Sequence, residues 1–178
     1  MAWDNNYLLS TIFMTNSTQF AHLSPQEKRV LLNELLQKKK QTIYSYPLSY
    51  GQQALWFIYQ TAPESPAYNM ALLLEVQGDL KLPTLQSALQ RLVNRHPALR
   101  TSISKEAESP MQTVQPTGEY SWVIHPAATW TKEALAEALR TAYQQPFELT
   151  QGPVLRVNLF QQSSQQHLLL LTMHHLLA

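Results

Sequence analysis

A chain of 178 residues with Lys plus Arg at 13 and Asp plus Glu at 12 has a net charge of +1, which excludes any field able to steer it to nucleic acid or to an anionic membrane. Cysteine is absent, so disulfide frameworks, thiolate nucleophiles and thiolate metal sites are ruled out. The length suits one domain, or one lobe of a larger one, able to bury about 70% of its unfolded surface.

The first segment, Met1 to Met14, contains the apolar stretch Tyr7 to Phe13, but Asp4 stands where a secretory leader carries basic residues and no small-residue cleavage site follows. No stretch is long enough to span a bilayer. Met14 is a second candidate start of translation, because what precedes it has neither caps nor a clear period; the sequon Asn16-Ser17-Thr18 would count only in a secreted protein. Ser24-Pro25-Gln26-Glu27 is a capping box with proline at the first helical position, and Val30, Leu31, Leu35 and Leu36 recur at helical spacing. This predicts an amphipathic helix over 24–40. Lys38-Lys39-Lys40, the one local basic run, reads as its solvated last turn, where cations meet the negative end of the macrodipole. Gln41 to Tyr46 reads as a polar, tyrosine-bearing connector before Pro47, so residues 1–46 are expected to form a leader and 47–178 the main fold.

After Ser49, residues Ala54, Leu55, Trp56, Phe57 and Ile58 are apolar on nearly every side, which predicts a helix buried in a core with Trp56 as an anchor. Pro63 and Pro66 break it. Met70 to Val76 is a leucine-rich strand followed by a Gly78-Asp79 turn. Pro83 opens a helix with Leu85, Ala88, Leu89, Leu92, Val93 and His96 on one face, and Pro97 ends it; His96 on that apolar face reads as structural. Thr101 to Ile103 and Gln112 to Val114 form a hairpin across the polar connection Lys105 to Pro110, with Tyr120 to Ile124 as a third strand in the same region. Thr131 caps a helix whose buried stripe is Leu135, Ala138, Leu139 and Ala142, stopped by Pro146. Val154 to Phe160 and His167 to Met173 make a second hairpin, the second strand so apolar that it belongs in the middle of its sheet. The order of elements predicts a mixed α/β sandwich.

That last strand delivers His174 and His175. Consecutive strand residues face opposite sides, so one of the pair can enter a cavity and the other cannot. An imidazole titrating near pH 6.5 can accept a proton from an attacking group or hold that group by a hydrogen bond. No metal site is expected, since adjacent histidines diverge and no carboxylate or third histidine lies at ligand spacing.

Four segments in order carry a family resemblance. Ser49-Tyr50-Gly51-Gln52-Gln53-Ala54-Leu55-Trp56 resembles S-x-A-Q-x-R-L-W, and Arg95-His96-Pro97-Ala98-Leu99-Arg100-Thr101 resembles R-H-E-x-L-R-T. Met173-His174-His175 resembles the opening of M-H-H-x-x-x-D-G, and Pro146-Phe147-Glu148-Leu149 with Gly152-Pro153-Val154-Leu155-Arg156 resembles the linker into the active-site strand. These are motifs of the condensation domains of nonribosomal peptide synthetases, within the chloramphenicol-acetyltransferase-like acyltransferases. Gly51, Ala54 and Pro97 depart from the pattern, and the aspartate and glycine of the HHxxxDG motif would follow Ala178.

The resemblance implies an α/β fold, a chloramphenicol-acetyltransferase-like mixed sandwich of which 47–178 would be the N-terminal lobe only, truncated within the HHxxxDG motif. It implies amide formation between an acyl or peptidyl donor and an aminoacyl acceptor, both carried on the 4'-phosphopantetheine of carrier proteins, with no cofactor bound directly. His175 would be catalytic, with His174 supporting from beneath it. Arg100 would support by pairing with the motif's aspartate, a role that Arg95 could take instead. Implied partners are carrier-protein domains upstream and downstream and an adenylation domain in the same parent chain, in the cytoplasm, with neither nucleic acid nor membrane. The family's active site lies between two lobes, so no condensation is expected from this chain alone. The stretch Ala62 to Asn69 resembles condensation domains that follow polyketide modules or take fatty acyl donors. Alternatives are acyl transfer to a hydroxyl, epimerization, or a non-catalytic carrier-docking module; heterocyclization is disfavoured because that branch replaces the histidines with aspartates.

Overall fold

The structure, a computed structural model, describes residues 22–40, 43–104 and 109–178, with the backbone alone for 36–40. The expectations for Tyr7 to Phe13, Met14, the sequon, Gln41 and the Lys38–Lys40 side chains lie outside the described residues. The chain divides into two units, 1–42 and 43–178. In the first, helix α1 spans Pro25–Lys40. Its capping box closes as the sequence predicts: the Ser24 N–H donates to Glu27 Oε2 at 2.7 Å and the Glu27 N–H to Ser24 Oγ at 3.3 Å.

The second unit opens with a strand where a connector was expected. Strand β1, Tyr44–Pro47, pairs antiparallel with β4, Met111–Val114, which pairs in turn with β3, Thr101–Ser104, giving a three-stranded sheet in the order β1-β4-β3. β1 is an edge strand, and Pro47 sits at its last position, where a missing N–H costs the ladder least.

Helix α2, Tyr50–Thr61, follows a second reciprocal cap between Ser49 and Gln52. Only Trp56 and Tyr59 are buried, and Phe57 is 70% exposed, so the helix packs by one face and is not enclosed as its composition suggested. Strand β2, Asn69–Gln77, helix α3, Leu82–Arg95, and a short 3-10 turn, Pro97–Arg100, come next. His96 caps α3 and is exposed, contrary to its predicted place on the apolar face, because Pro97 has already drawn the chain out of the helix.

Strand β5, Ser121–Pro126, does not join the first hairpin as expected. It pairs parallel with β6, Leu155–Gln161, across helix α4, Lys132–Gln144, as a parallel pair requires a long crossover. β6 pairs antiparallel with β7, Gln166–His174, and β7 with β2, so the four-stranded sheet runs β2-β7-β6-β5 with β7 inside it, as its apolar run predicts.

Register decides what each face buries. Leu155, Val157, Leu159 and Leu169 point to one side and meet Leu89 and Val93 of α3; Phe160 and Leu170 point to the other and meet Leu135, Ala138, Leu139 and Ala142 of α4. A third cluster joins Leu48, Trp56, Tyr59, Ile103, Phe147, Leu149 and Val154 to Leu176 and Leu177, so the residues just after the histidines are themselves core. β2 lies on the sheet edge with Leu72, Leu73 and Leu74 exposed.

Candidate active site

His174 ends β7, His175 follows it, and the two do different things. His174 is paired with Asn69 of β2, is buried, and accepts the Leu176 backbone N–H on Nδ1 at 3.2 Å. The Tyr59 ring stands edge-on to it at 6.1 Å, and the Tyr68 ring lies 6.3 Å away. Burial lowers its pKa from 6.5, and the neighbouring His175 lowers it further. A buried imidazole with its Nδ1 lone pair already used is a neutral structural group.

His175 begins a 3-10 turn, His175–Leu177, and is exposed. Its backbone N–H donates to the Tyr68 carbonyl at 2.8 Å, and its Nδ1 lies 3.0 Å from Met70 Sδ. The contacts come from Tyr68, immediately before β2, and Met70, its second residue, so the entry into β2 fixes the backbone and ring of His175 together. The turn is also held from α2. Gln52 accepts the Ser49 N–H on Oε1 while its Nε2 donates to the Leu176 carbonyl at 3.3 Å, tying the first motif to the third. Its amide also meets that of Gln112 in β4 at 3.3 Å.

Beneath this end of the sheet, the last carbonyls of α4 find side-chain partners. Asn69 Nδ2 donates to Tyr143 O at 2.7 Å and Gln145 O at 3.0 Å. Arg156 Nη1 donates to Gln145 O at 2.7 Å and Nη2 to Pro146 O, with the guanidinium carbon 3.7 Å from the Phe147 ring centroid. These bonds satisfy acceptors that a helix end leaves open. Burial lowers the Arg156 pKa, and the Phe147 ring face offers the cation compensation.

Arg100 is not brought to the histidines by any hydrogen bond or ion pair. It closes the 3-10 turn after α3 and donates from Nη1 to Gln115 O, and its Nε is buried without a partner among the described residues. It lines a cavity of about 540 Å³ with Ser102, Gln115, Glu119, Gln151 and Val154. Gly118 faces it so closely that an added Cβ would lie 2.5 Å from Arg100 Cβ. Arg95, the alternative, is exposed in the last turn of α3 on a separate groove lined also by Pro83 and Arg91. The structure thus places Arg100 on one cavity and Arg95 on another, and places His175, exposed, in the turn that follows β7. Gln52, Asn69, Met70 and Tyr68 were not singled out from sequence. For Gln52 the first motif was a usable signal; the other three depend on the β2–β7 register.

Comparison with known proteins identifies the family and the fold. The Condensation domain family model matches residues 42–178. Chondramide synthase cmdD from Chondromyces crocatus is 35% identical over 136 residues, covering 74% of this chain and 4% of that protein. Tyrocidine synthase 3 from Brevibacillus parabrevis is 36% identical over 133 residues, covering 75% and 2%. Among solved structures, the starter condensation domain of rhizomide synthetase RzmA superposes with a TM-score of 0.67 at 29% identity, over 75% of this chain and 33% of that one. The four-domain nonribosomal peptide synthetase AB3403 superposes at 0.71 and shares the fold at 22% identity over 75% of this chain and 10% of that one. The chain thus spans a few per cent of the length of the synthetases it matches and a third of the crystallised starter domain. With the family model matching residues 42–178, which is most of its length, the chain belongs to the condensation-domain family.

Proposed function

We propose that this chain contributes to condensation, in which the amine of a carrier-bound aminoacyl thioester attacks the carbonyl of a second, carrier-bound acyl thioester. The observation that carries this reading is the division within the pair, His174 buried and bonded to the main chain, His175 exposed at the end of β7. In this scheme the amine nitrogen bonds to the thioester carbon and the C–S bond breaks. His175 accepts the proton that the amine loses, and the imidazolium returns it to the departing thiolate, so the ring ends as it began. Holding two tethered substrates in line removes a large entropic barrier independently of proton transfer.

The substrates would arrive on phosphopantetheine arms of carrier domains, one on the donor side and one on the acceptor side, with an adenylation domain in the parent chain loading the acceptor. Arg100 would serve by pairing a carboxylate. Its Nε without a partner and the cavity beside it support that reading. Among the described residues no helix is long and apolar enough to cross a membrane. The test is product formation by the condensation domain carrying this sequence, supplied with two loaded carriers, for the natural chain and His175→Ala. Loss of amide product with the variant is expected. Undiminished product would make this a docking module, and transfer to a free alcohol in place of the carrier-bound amine would make it an O-acyltransferase.

A further inference from the structure

We propose that Met70 is a positioning residue that holds His175 in the tautomer protonated on Nδ1, leaving Nε2 bare; this rests on the reading of His175 as the proton acceptor. Met70 Sδ and His175 Nδ1 are 3.0 Å apart. A thioether has no hydrogen to give, so the contact is a hydrogen bond only if Nδ1 carries the proton. In a neutral ring the lone pair then sits on Nε2. The neighbouring ring is fixed the other way round. His174 Nδ1 accepts the Leu176 N–H at 3.2 Å, so its own proton sits on Nε2. Two adjacent histidines are thereby held in opposite tautomers, one by the main chain and one by a methionine.

The geometry explains why a methionine on the neighbouring strand can do this. Met70 pairs with Met173 in the β2–β7 register, one step from the Asn69 and His174 pair, and the Tyr68 carbonyl two residues earlier receives the His175 N–H at 2.8 Å. Tyr68, Asn69 and Met70 therefore fix, in turn, the backbone of His175, its neighbour His174 and the His175 ring. Sulfur is a weak acceptor, and free imidazole favours protonation on Nε2, so removing it returns the ring to the tautomer with the wrong nitrogen bare.

The test is the tautomer itself, read by long-range proton–nitrogen correlation on protein labelled in the histidine rings, the His175 signals being assigned by their loss in His175→Asn. The natural protein is expected to show Nδ1 protonated at His175, Met70→Leu to shift the ring towards Nε2 protonation, and Met70→Gln, whose Oε1 can accept the same N–H, to restore it. Amide spectra of the variants report whether each is folded, and Met70→Gln keeps the test open should Met70→Leu not fold. Nε2 protonation in the natural protein, or an unchanged tautomer in Met70→Leu, would overturn the proposal. In the condensation domain carrying this sequence, Met70→Leu should lower kcat about fivefold with KM unchanged, and Met70→Gln should recover most of it. If the tautomer shifts as expected while His175→Asn leaves product formation intact, the positioning by Met70 stands and the catalytic reading of His175 fails.

Discussion

Replacing Gly118 by alanine sets two opposed effects against each other. Gly118 has no positive φ, so alanine there would ordinarily stabilise by about 0.4–1 kcal/mol through loss of unfolded-state entropy. The added Cβ, however, would lie 2.5 Å from Arg100 Cβ, 3.0 Å from Val93 Cγ1 and 3.3 Å from Arg100 Cα. The first and third of these atoms cannot yield without moving the main chain. Nor can the loop retreat easily, since Gln90 Nε2 holds the Gly118 carbonyl at 2.8 Å and the Gln115 N–H holds the Arg100 carbonyl at 2.9 Å. Overpacking of this kind costs about 1–3 kcal/mol. The clash therefore wins, with a net destabilisation of about 1–2 kcal/mol, or roughly 3–8 °C in Tm for a unit of this size. Urea unfolding followed by tryptophan fluorescence measures it through the midpoint at constant m. An unchanged or raised midpoint would refute the close approach of Gly118 and Arg100.

Other perturbations separate the faces and the site. Leu159→Ala, at a position fully buried between β6 and α3, should cost about 2–5 kcal/mol, whereas Leu72→Ala on the exposed edge should stay within about 0.5 kcal/mol; equal losses in urea unfolding would contradict the register. Asn69→Ala removes both bonds to the end of α4 and should cost about 2 kcal/mol, with faster amide exchange in the last turn of α4 as the local sign. His174 has a folded pKa below its unfolded value, so the unfolded state binds the proton first as pH falls. Its contribution to stability is present above about pH 6.5 and is lost as pH drops from there to the lower folded pKa. His174→Asn keeps an acceptor for the Leu176 N–H and removes the titration, so the midpoint should fall less between pH 7 and 5 than in the natural protein; identical pH profiles would contradict the burial of His174.

What could be read from sequence was local. The apolar run of β7, the helix caps at Ser24 and Thr131, and the histidine pair are all patterns within a dozen residues, and each is where it was expected; the cap at Ser49 is as local but was not read. β1 was missed because Pro47 looks like a break, yet an edge strand tolerates proline at its end. β5 was placed beside its nearest neighbour in sequence, whereas its partner lies across α4 and the choice is made by packing on both faces of the larger sheet. The same distinction holds in the site. That one of His174 and His175 is buried and the other exposed was expected from strand alternation, although His175 lies in the turn after β7; Tyr68, Asn69 and Met70 reach the pair through a register spanning a hundred residues of chain. No periodicity encodes that.

The most direct test of the central claim is the single-turnover rate of amide formation in the condensation domain carrying this sequence, with both carriers loaded, for the natural chain and His175→Ala. A proton acceptor at His175 predicts a fall of about 10²–10⁴-fold with carrier binding unchanged. A rate within about twofold of the natural chain, equivalent to less than about 0.5 kcal/mol of barrier, would show that His175 takes no part in the chemistry.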